Sequence, residues 1–147
     1  MNLIFLGTTG VHHALVAANI YLDRLNEEKY YNLDSYADLQ LESQGFPIYI
    51  GQDIKGNKVY SLGVGSDIPM AQKSIEDLVA IMGYATNDLI TIPLSIYGDK
   101  LIRLISFFPV GATLLSKIVA GVLIKSQLSS IYKNIEEFKL LLLAKRP

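Results

Sequence analysis

The fold of this chain is decided by the stretch LIFLGTTGVHHA, residues 3–14. Its continuous apolar run, which stops at Gly7, is typical of a buried strand. Beyond the glycines, apolar residues recur at spacings of four and three, as in a helix packed on a sheet: Val11, Leu15, Ala18, Leu22 and Leu25. We therefore predict a strand over residues 2–6, a tight loop, and a helix that carries both histidines of the chain in its first turn.

A loop between a strand and a helix directs free backbone N–H groups and the helix dipole at one point, which is typical of an anion site. The candidate ligand-binding residues are those of this loop together with a serine from a later loop: Thr8, Thr9, Gly10, His12, His13 and Ser66. The alternative is a structural turn that joins the strand to the helix and binds nothing.

His12 is the candidate catalytic residue, because the positive end of the dipole favours a neutral imidazole that can donate or accept a proton. The alternative is a histidine that only forms hydrogen bonds within the turn. Adjacent helical residues point about 100° apart, so His12 and His13 cannot both face one ligand squarely. The loop has neither the Lys of a Walker motif nor the glycine spacing of a dinucleotide fingerprint. Cysteine is absent and no His-x₃-His spacing occurs, so we predict no metal site. These residues identify neither a cofactor nor a reaction.

A hairpin is predicted in the middle of the chain. Two β-rich runs, residues 46–50 and 58–62, flank the sequence DIKGN, in which Gly56 and Asn57 suit a turn with positive φ. In that hairpin Tyr49 and Tyr60 form a cross-strand pair.

Capping signals predict the neighbouring helices. A short helix over residues 34–43 begins at Asp34, and a longer one follows the turn at residues 63–67. The longer helix has Ser66 or Asp67 as its cap, Pro69 in its first turn and Gly83 at its end.

The last third of the chain is predicted as alternating short elements. Residues 89–94 form a strand that Pro93 restricts to an edge or to its own end. Asp99 begins a helix that carries Phe108 and ends at Pro109, a short helix covers residues 112–118, and a strand lies near residues 121–125. Ser129 or Ser130 caps the final helix.

This order of elements predicts a single three-layer α/β domain over residues 1–147, Rossmann-like, with a mostly parallel sheet, one antiparallel hairpin and helices on both faces. The first strand is expected at the centre. Ligands of such sheets bind beyond the carboxyl ends of the strands, where four loops are expected to gather: residues 7–13, 63–67, 95–99 and 125–130.

Composition excludes several classes of protein. Half of the 147 residues are hydrophobic and the net charge is −1, so no nucleic acid is expected as a partner. The lack of cysteine and of a basic leader predicts a cytoplasmic protein. The apolar residues 105–124 include Lys117 and are interrupted by Pro109, Gly111 and Gly121. They are interpreted as two buried elements and not as a membrane span.

Two stretches resemble a bacterial family, the domain-of-unknown-function family numbered 3189 from Gram-positive spore formers. Its members look like a strand followed by Gly-Gly-Thr-His-Ser-Ser and an Ala-rich helix. Here TGVHHA, residues 9–14, and LVAANIYL, residues 15–22, are similar, as is the hairpin GQDIKGNKVYSLG, residues 51–63. Gly10 and His12 carry over, whereas His13 and Ala14 replace the hydroxyl residues of the family. The resemblance implies the fold and the loop, without a reaction.

The residues favour binding of a phosphate-bearing or otherwise anionic small molecule at the first loop. A different class of function is a non-enzymatic interaction module or homo-oligomer, in which the exposed hairpin pairs with itself or with a partner. A third is a membrane-peripheral protein that docks through residues 105–124.

Overall fold

A computed structural model of the chain describes residues 1–25, 29–85, 87–106 and 112–144. Within them a 3₁₀ turn, Tyr30–Asn32, follows the first helix. The strands and α-helices run in the order β1 (Asn2–Gly7), α1 (His13–Tyr21), α2 (Leu39–Ser43), β2 (Ile48–Gln52), β3 (Lys58–Gly63), α3 (Ile68–Ile81), β4 (Leu89–Pro93), α4 (Asp99–Ser106) and α5 (Ala112–Ala144).

The sheet has the strand order β2-β3-β1-β4. β1 pairs in parallel with β3 on one side and with β4 on the other, and β2 pairs antiparallel with β3. The predicted central position of the first strand is therefore confirmed. Pro93 ends β4, an edge strand, where its missing N–H costs the sheet no interior hydrogen bond.

Helices cover both faces of the sheet because successive side chains of β1 point in opposite directions. Leu3 and Phe5 belong to a large core cluster with α1 and α5, whereas Ile4 and Leu6 pack with Ile68 at the start of α3. All nine residues of α1 are buried. The α/β class with helices on both faces is confirmed.

The hairpin and the helix after it form as predicted, except that Asn57 does not adopt the positive φ expected of it. Gly56 has φ of +80°, and the rings of Tyr49 and Tyr60 lie opposite each other with centroids 5.4 Å apart. The cap of α3 is Asp67, whose carboxylate accepts a hydrogen bond from the Met70 N–H at 3.0 Å. Gly83 follows the helix with φ of +78°.

Two helices are shorter than predicted. α1 begins at His13, so His12 is its N-cap residue and does not lie in the first turn as predicted. α1 ends at Tyr21, before Leu25, and Asp23 adopts a positive φ of 54° that cannot continue a helix. The helix predicted over residues 34–43 is reduced to α2, whose cap is Asp38 and not Asp34. The first residues of the predicted helix are not helical, because Ala37 has a positive φ and donates its N–H to the Val11 carbonyl.

The prediction for the last third of the chain is wrong from residue 112 onward. The expected short helix, strand and final helix are one continuous helix, α5, so the strand near residues 121–125 does not exist and neither Ser129 nor Ser130 is a cap. A single buried stripe runs through the expected breaks: Ala120, Ile124, Leu128, Ile131 and Ile135. Burial of this stripe outweighs the low helix propensity of Gly121. The predicted end of the preceding helix at Phe108 and Pro109 lies outside the described residues.

Candidate functional site

Three of the four predicted loops meet at one edge of the sheet. β1, β3 and β4 are parallel, so residues 7–13, 63–67 and 95–99 all follow carboxyl ends of strands on the same side. The fourth predicted loop, residues 125–130, lies within α5 and is no loop. Gln127 nevertheless reaches this edge, because its amide accepts from the Tyr97 N–H at 2.7 Å and donates to the Tyr97 carbonyl at 3.0 Å.

The N–H groups of the first loop bind a carboxylate of the protein itself. Gly10 and Val11 donate to Oε2 of Glu42 at 2.7 Å and 3.2 Å. Burial raises the pKa of the Glu42 carboxyl, although these two hydrogen bonds act to lower it. The sequence predicts that these N–H groups bind an anion from outside the protein. In the structure they bind the carboxylate of Glu42, a residue of α2.

Gly10 is required by close packing of the loop on the end of β3. A Cβ atom at Gly10 would lie 2.7 Å from the backbone nitrogen of Gly63. The Ser61 hydroxyl also donates to the Gly10 carbonyl at 2.8 Å. A side chain at this position would therefore push the loop off the sheet before it met any ligand.

His12 is fully buried and both of its ring nitrogens contact protein hydroxyls. Nδ1 lies 2.9 Å from Oγ1 of Thr9, and Nε2 lies 2.6 Å from Oγ of Ser116 in α5. Burial, helped by the charge of His13, lowers the pKa of His12 to about 3, so the imidazole is neutral at pH 7 and donates through one nitrogen while accepting through the other.

The Ser116–His12–Thr9 chain resembles a nucleophile with its base, but Ser116 and His12 have no exposed surface. No substrate reaches either residue in this arrangement. We interpret His12 as a positioning residue that connects the first loop to α5.

His13 is the first residue of α1 and is buried against the backbone of β1. A Cβ atom at Gly7 would lie 2.7 Å from its Nε2, so the glycine makes room for the imidazole. His13 lines a cavity of about 20 Å³ between the start of α1, the segment after β4 and α5, with Ser95 and Asn134 among its walls. This space admits about one water molecule.

A larger cavity of about 270 Å³ opens at the same edge of the sheet. Its walls come from the first loop, α2, the loop after β3, and α4: Thr8, Thr9, Leu39, Glu42, Ser43, Gly65 and Arg103. Gly65 has φ of +78°, and a Cβ atom there would lie 3.2 Å from Nη2 of Arg103. The glycine therefore lets the guanidinium lie close to the backbone. Ser66, the predicted ligand residue beside it, is exposed and is not part of this wall.

The cavity brings together some of the predicted site residues and leaves others out. Thr8 and Thr9 line it, while His12 and His13 lie behind the loop. Sequence reasoning did not identify Glu42, Arg103 or Ser116. Glu42 and Ser116 reach the loop across 32 and 104 residues of chain, and no local pattern marks them.

The chain matches a known protein family over most of its length. The family described as "Protein of unknown function (DUF3189)" matches residues 2–139. The chain belongs to this family. No curated protein and no solved structure gives a significant match.

The two loop residues on which the resemblance to this family rests have defined places in the structure. Gly10 makes the close approach to β3, and His12 makes the contacts with Thr9 and Ser116. In this member of the family, both residues therefore determine the shape of the first loop.

Proposed function

We propose that the chain binds a small phosphate-bearing or otherwise anionic molecule in the cavity of about 270 Å³ at the carboxyl edge of the sheet. The observation that carries the proposal is the presence of Arg103 in the same wall as Thr8 and Thr9. A guanidinium binds phosphate through two parallel hydrogen bonds, and hydroxyl groups complete such a site. The edge is also the one at which α/β sheets bind their ligands.

Glu42 competes with the ligand in this proposal. Its carboxylate already accepts from Gly10 and Val11, so an anion that approaches the loop meets a negative charge. Because burial raises its pKa, Glu42 takes up a proton more readily than an exposed glutamate does. Binding is therefore expected to strengthen as the pH falls towards the range in which Glu42 titrates. The proposal assigns no catalytic step, because His12 does not line the cavity.

A second cavity, of about 230 Å³, lies near the opposite end of α1 and is less suited to an anion. Two lysines, Lys55 and Lys139, line it together with two carboxylates, and Lys139 is bound to Asp23 at 2.8 Å. Its other carboxylate, Asp53, accepts a hydrogen bond from the Tyr21 hydroxyl at 2.9 Å. The two lysines and the two carboxylates have opposite formal charges, so this cavity has no excess of positive charge to attract an anion.

The test is calorimetric titration of the wild type with phosphate and with pyrophosphate, at low ionic strength and at two pH values. Arg103→Gln is expected to weaken binding about tenfold, because it removes a charge-assisted contact. Glu42→Gln removes the competing carboxylate and is expected to tighten binding. Gly10→Val and His12→Ala are poor probes of this site, since both change the packing of the loop.

The matched control is Lys100→Gln, which removes one positive charge from the same helix outside the cavity. It is expected to bind phosphate as the wild type does. The proposal is overturned if the wild type gives no binding heat with millimolar phosphate or pyrophosphate, or if Arg103→Gln and Lys100→Gln behave alike.

One observation favours the second class of function, an interaction module. Three large apolar side chains are exposed along the edge strand: Phe46 just before β2, Tyr49 within it and Ile54 in the hairpin turn. Strand addition is opposed by the bulge between Tyr49 and Gly51 and by Arg24, which donates to the Ile50 carbonyl at 2.7 Å. The exposed side chains can therefore contact a partner, whereas the backbone of β2 is poorly suited to pair with another strand. Sedimentation over a range of concentrations tests it, with Ile54→Ser expected to abolish any self-association.

A further inference from the structure

The first half of α5 exposes an apolar face. Leu114, Ile118 and Val122 follow one another at a spacing of four, so they lie on the same side of the helix, and their side chains are 68%, 56% and 65% exposed. Leu115, half exposed, extends this face. Contiguous exposed apolar surface of this kind marks an interaction site more often than isolated exposed leucines do. We call Leu114, Leu115, Ile118 and Val122 the outer face of α5.

The opposite side of the same helix is part of the core. Ala120, Ile124 and Leu128 are buried in the cluster that includes α1 and Phe5. By length and composition, α5 is the one helix in the described part of the chain that could cross a membrane, and only 28% of its most apolar window is buried. Crossing would remove the core stripe from α1. The helix is therefore suited to lie along an apolar surface and not to pass through it.

Positive charge borders the outer face. Lys117 and Lys125 line a groove of about 300 Å³ that separates α5 from the 3₁₀ turn, together with Ile118, Val122 and the half-exposed Tyr31. Residues 100–135 include five basic side chains and no acidic one. Neither Lys117 nor Lys125 takes part in an ion pair with the described residues.

We infer that the outer face of α5 docks on the surface of an anionic lipid membrane. Leucine, isoleucine and valine side chains would enter the boundary of the acyl chains, as those of an interfacial helix do. Lys117 and Lys125 would contact lipid phosphates, and Tyr31 would lie at headgroup level, where tyrosine is enriched. A second copy of the chain is a poorer occupant, because a symmetric contact through this face would bring lysines against lysines.

The experiment is flotation of the full chain with vesicles of phosphatidylcholine alone, or of phosphatidylcholine with one third phosphatidylserine. The wild type is expected to float with the anionic vesicles and to be released by high salt, which screens the lysine contribution. Lys117→Gln and Lys125→Gln are each expected to weaken binding about fivefold. Ile118→Ser is expected to weaken binding to anionic vesicles without changing its salt dependence.

The matched controls are Lys73→Gln and Ile81→Ser on α3, which remove the same chemical groups from exposed positions of another helix. Both are expected to float as the wild type does. The inference is overturned if the wild type stays unbound to anionic vesicles, if the α3 variants lose as much binding as the α5 variants, or if the chain instead forms a dimer that Ile118→Ser dissociates. Arg103→Gln keeps the outer face intact, so loss of phosphate binding and loss of vesicle binding are separate results.

Discussion

At the scale of single residues, His12 shows how burial changes the role of a side chain. A histidine at the start of a helix was a candidate acid or base, yet its ring nitrogens contact Thr9 and Ser116 inside the protein. Such a neutral, hydrogen-bonded imidazole positions the backbone around it. Glu42 is the opposite case. No sequence motif identifies it, and yet its carboxylate binds the N–H groups of the loop.

The buried imidazole predicts a loss of stability in acid. In the unfolded chain a histidine takes up a proton near pH 6.5, whereas folded His12 does so only near pH 3. Between these values the unfolded state binds more protons, so the His12 contribution is complete above pH 6.5 and is lost as the pH falls towards 3. The free energy of urea unfolding should fall by up to about 1.4 kcal/mol per pH unit from this group.

Two variants separate this titration from the hydrogen bonds. His12→Leu removes the ionisable group, so its unfolding free energy should depend less on pH. Ser116→Ala removes one contact, costs about 1 kcal/mol, and keeps the wild-type dependence. Equal pH slopes for the two variants would contradict a buried, neutral His12.

At the scale of elements, local turn chemistry was predictable and helix length was not. Asp53 organises the hairpin loop by accepting from the N–H groups of Lys55 and Asn57 at 2.8 Å and 2.9 Å. All three residues lie within five positions of one another, so the turn can be predicted from this short segment of the sequence. α5, by contrast, continues through Gly121 because of what its buried stripe packs against.

Gly56 should tolerate no β-branched side chain, because its φ of +80° is a left-handed conformation. Gly56→Val is expected to lower the free energy of unfolding by roughly 1–2 kcal/mol. Thermal denaturation measures the effect, and Lys55→Val, one residue earlier and outside the positive φ region, is the control. An unchanged melting temperature for Gly56→Val would mean that the turn has another conformation.

At the scale of the whole molecule, stability should be concentrated in β1 and α1. β1 is paired on both sides, and every residue of α1 is buried, whereas Ile68 is the only buried residue of α3. Amide hydrogen exchange should therefore be slowest in β1 and α1, close to the rate of global unfolding, and faster in the middle of α3. Slower exchange in α3 than in α1 would contradict this order.

The sequence by itself determined the α/β class, the central strand with its loop and helix, and the hairpin, and it limited the cap of α3 to Ser66 or Asp67. It also displayed the resemblance to the family to which the chain belongs. These features depend on periodicity and turn residues within one short segment, because hydrogen bonds and side-chain directions repeat locally in helices, strands and turns.

Only the tertiary structure decided what surrounds the first loop. Glu42, Arg103 and Ser116 lie on three different helices and reach the loop, or the cavity beside it, because the parallel strands bring their connections to one edge. The same is true of α5, whose continuous length depends on the core that covers its inner stripe. Contacts between segments far apart in the chain leave no local pattern, because their free energy arises only when the folded layers bring them together.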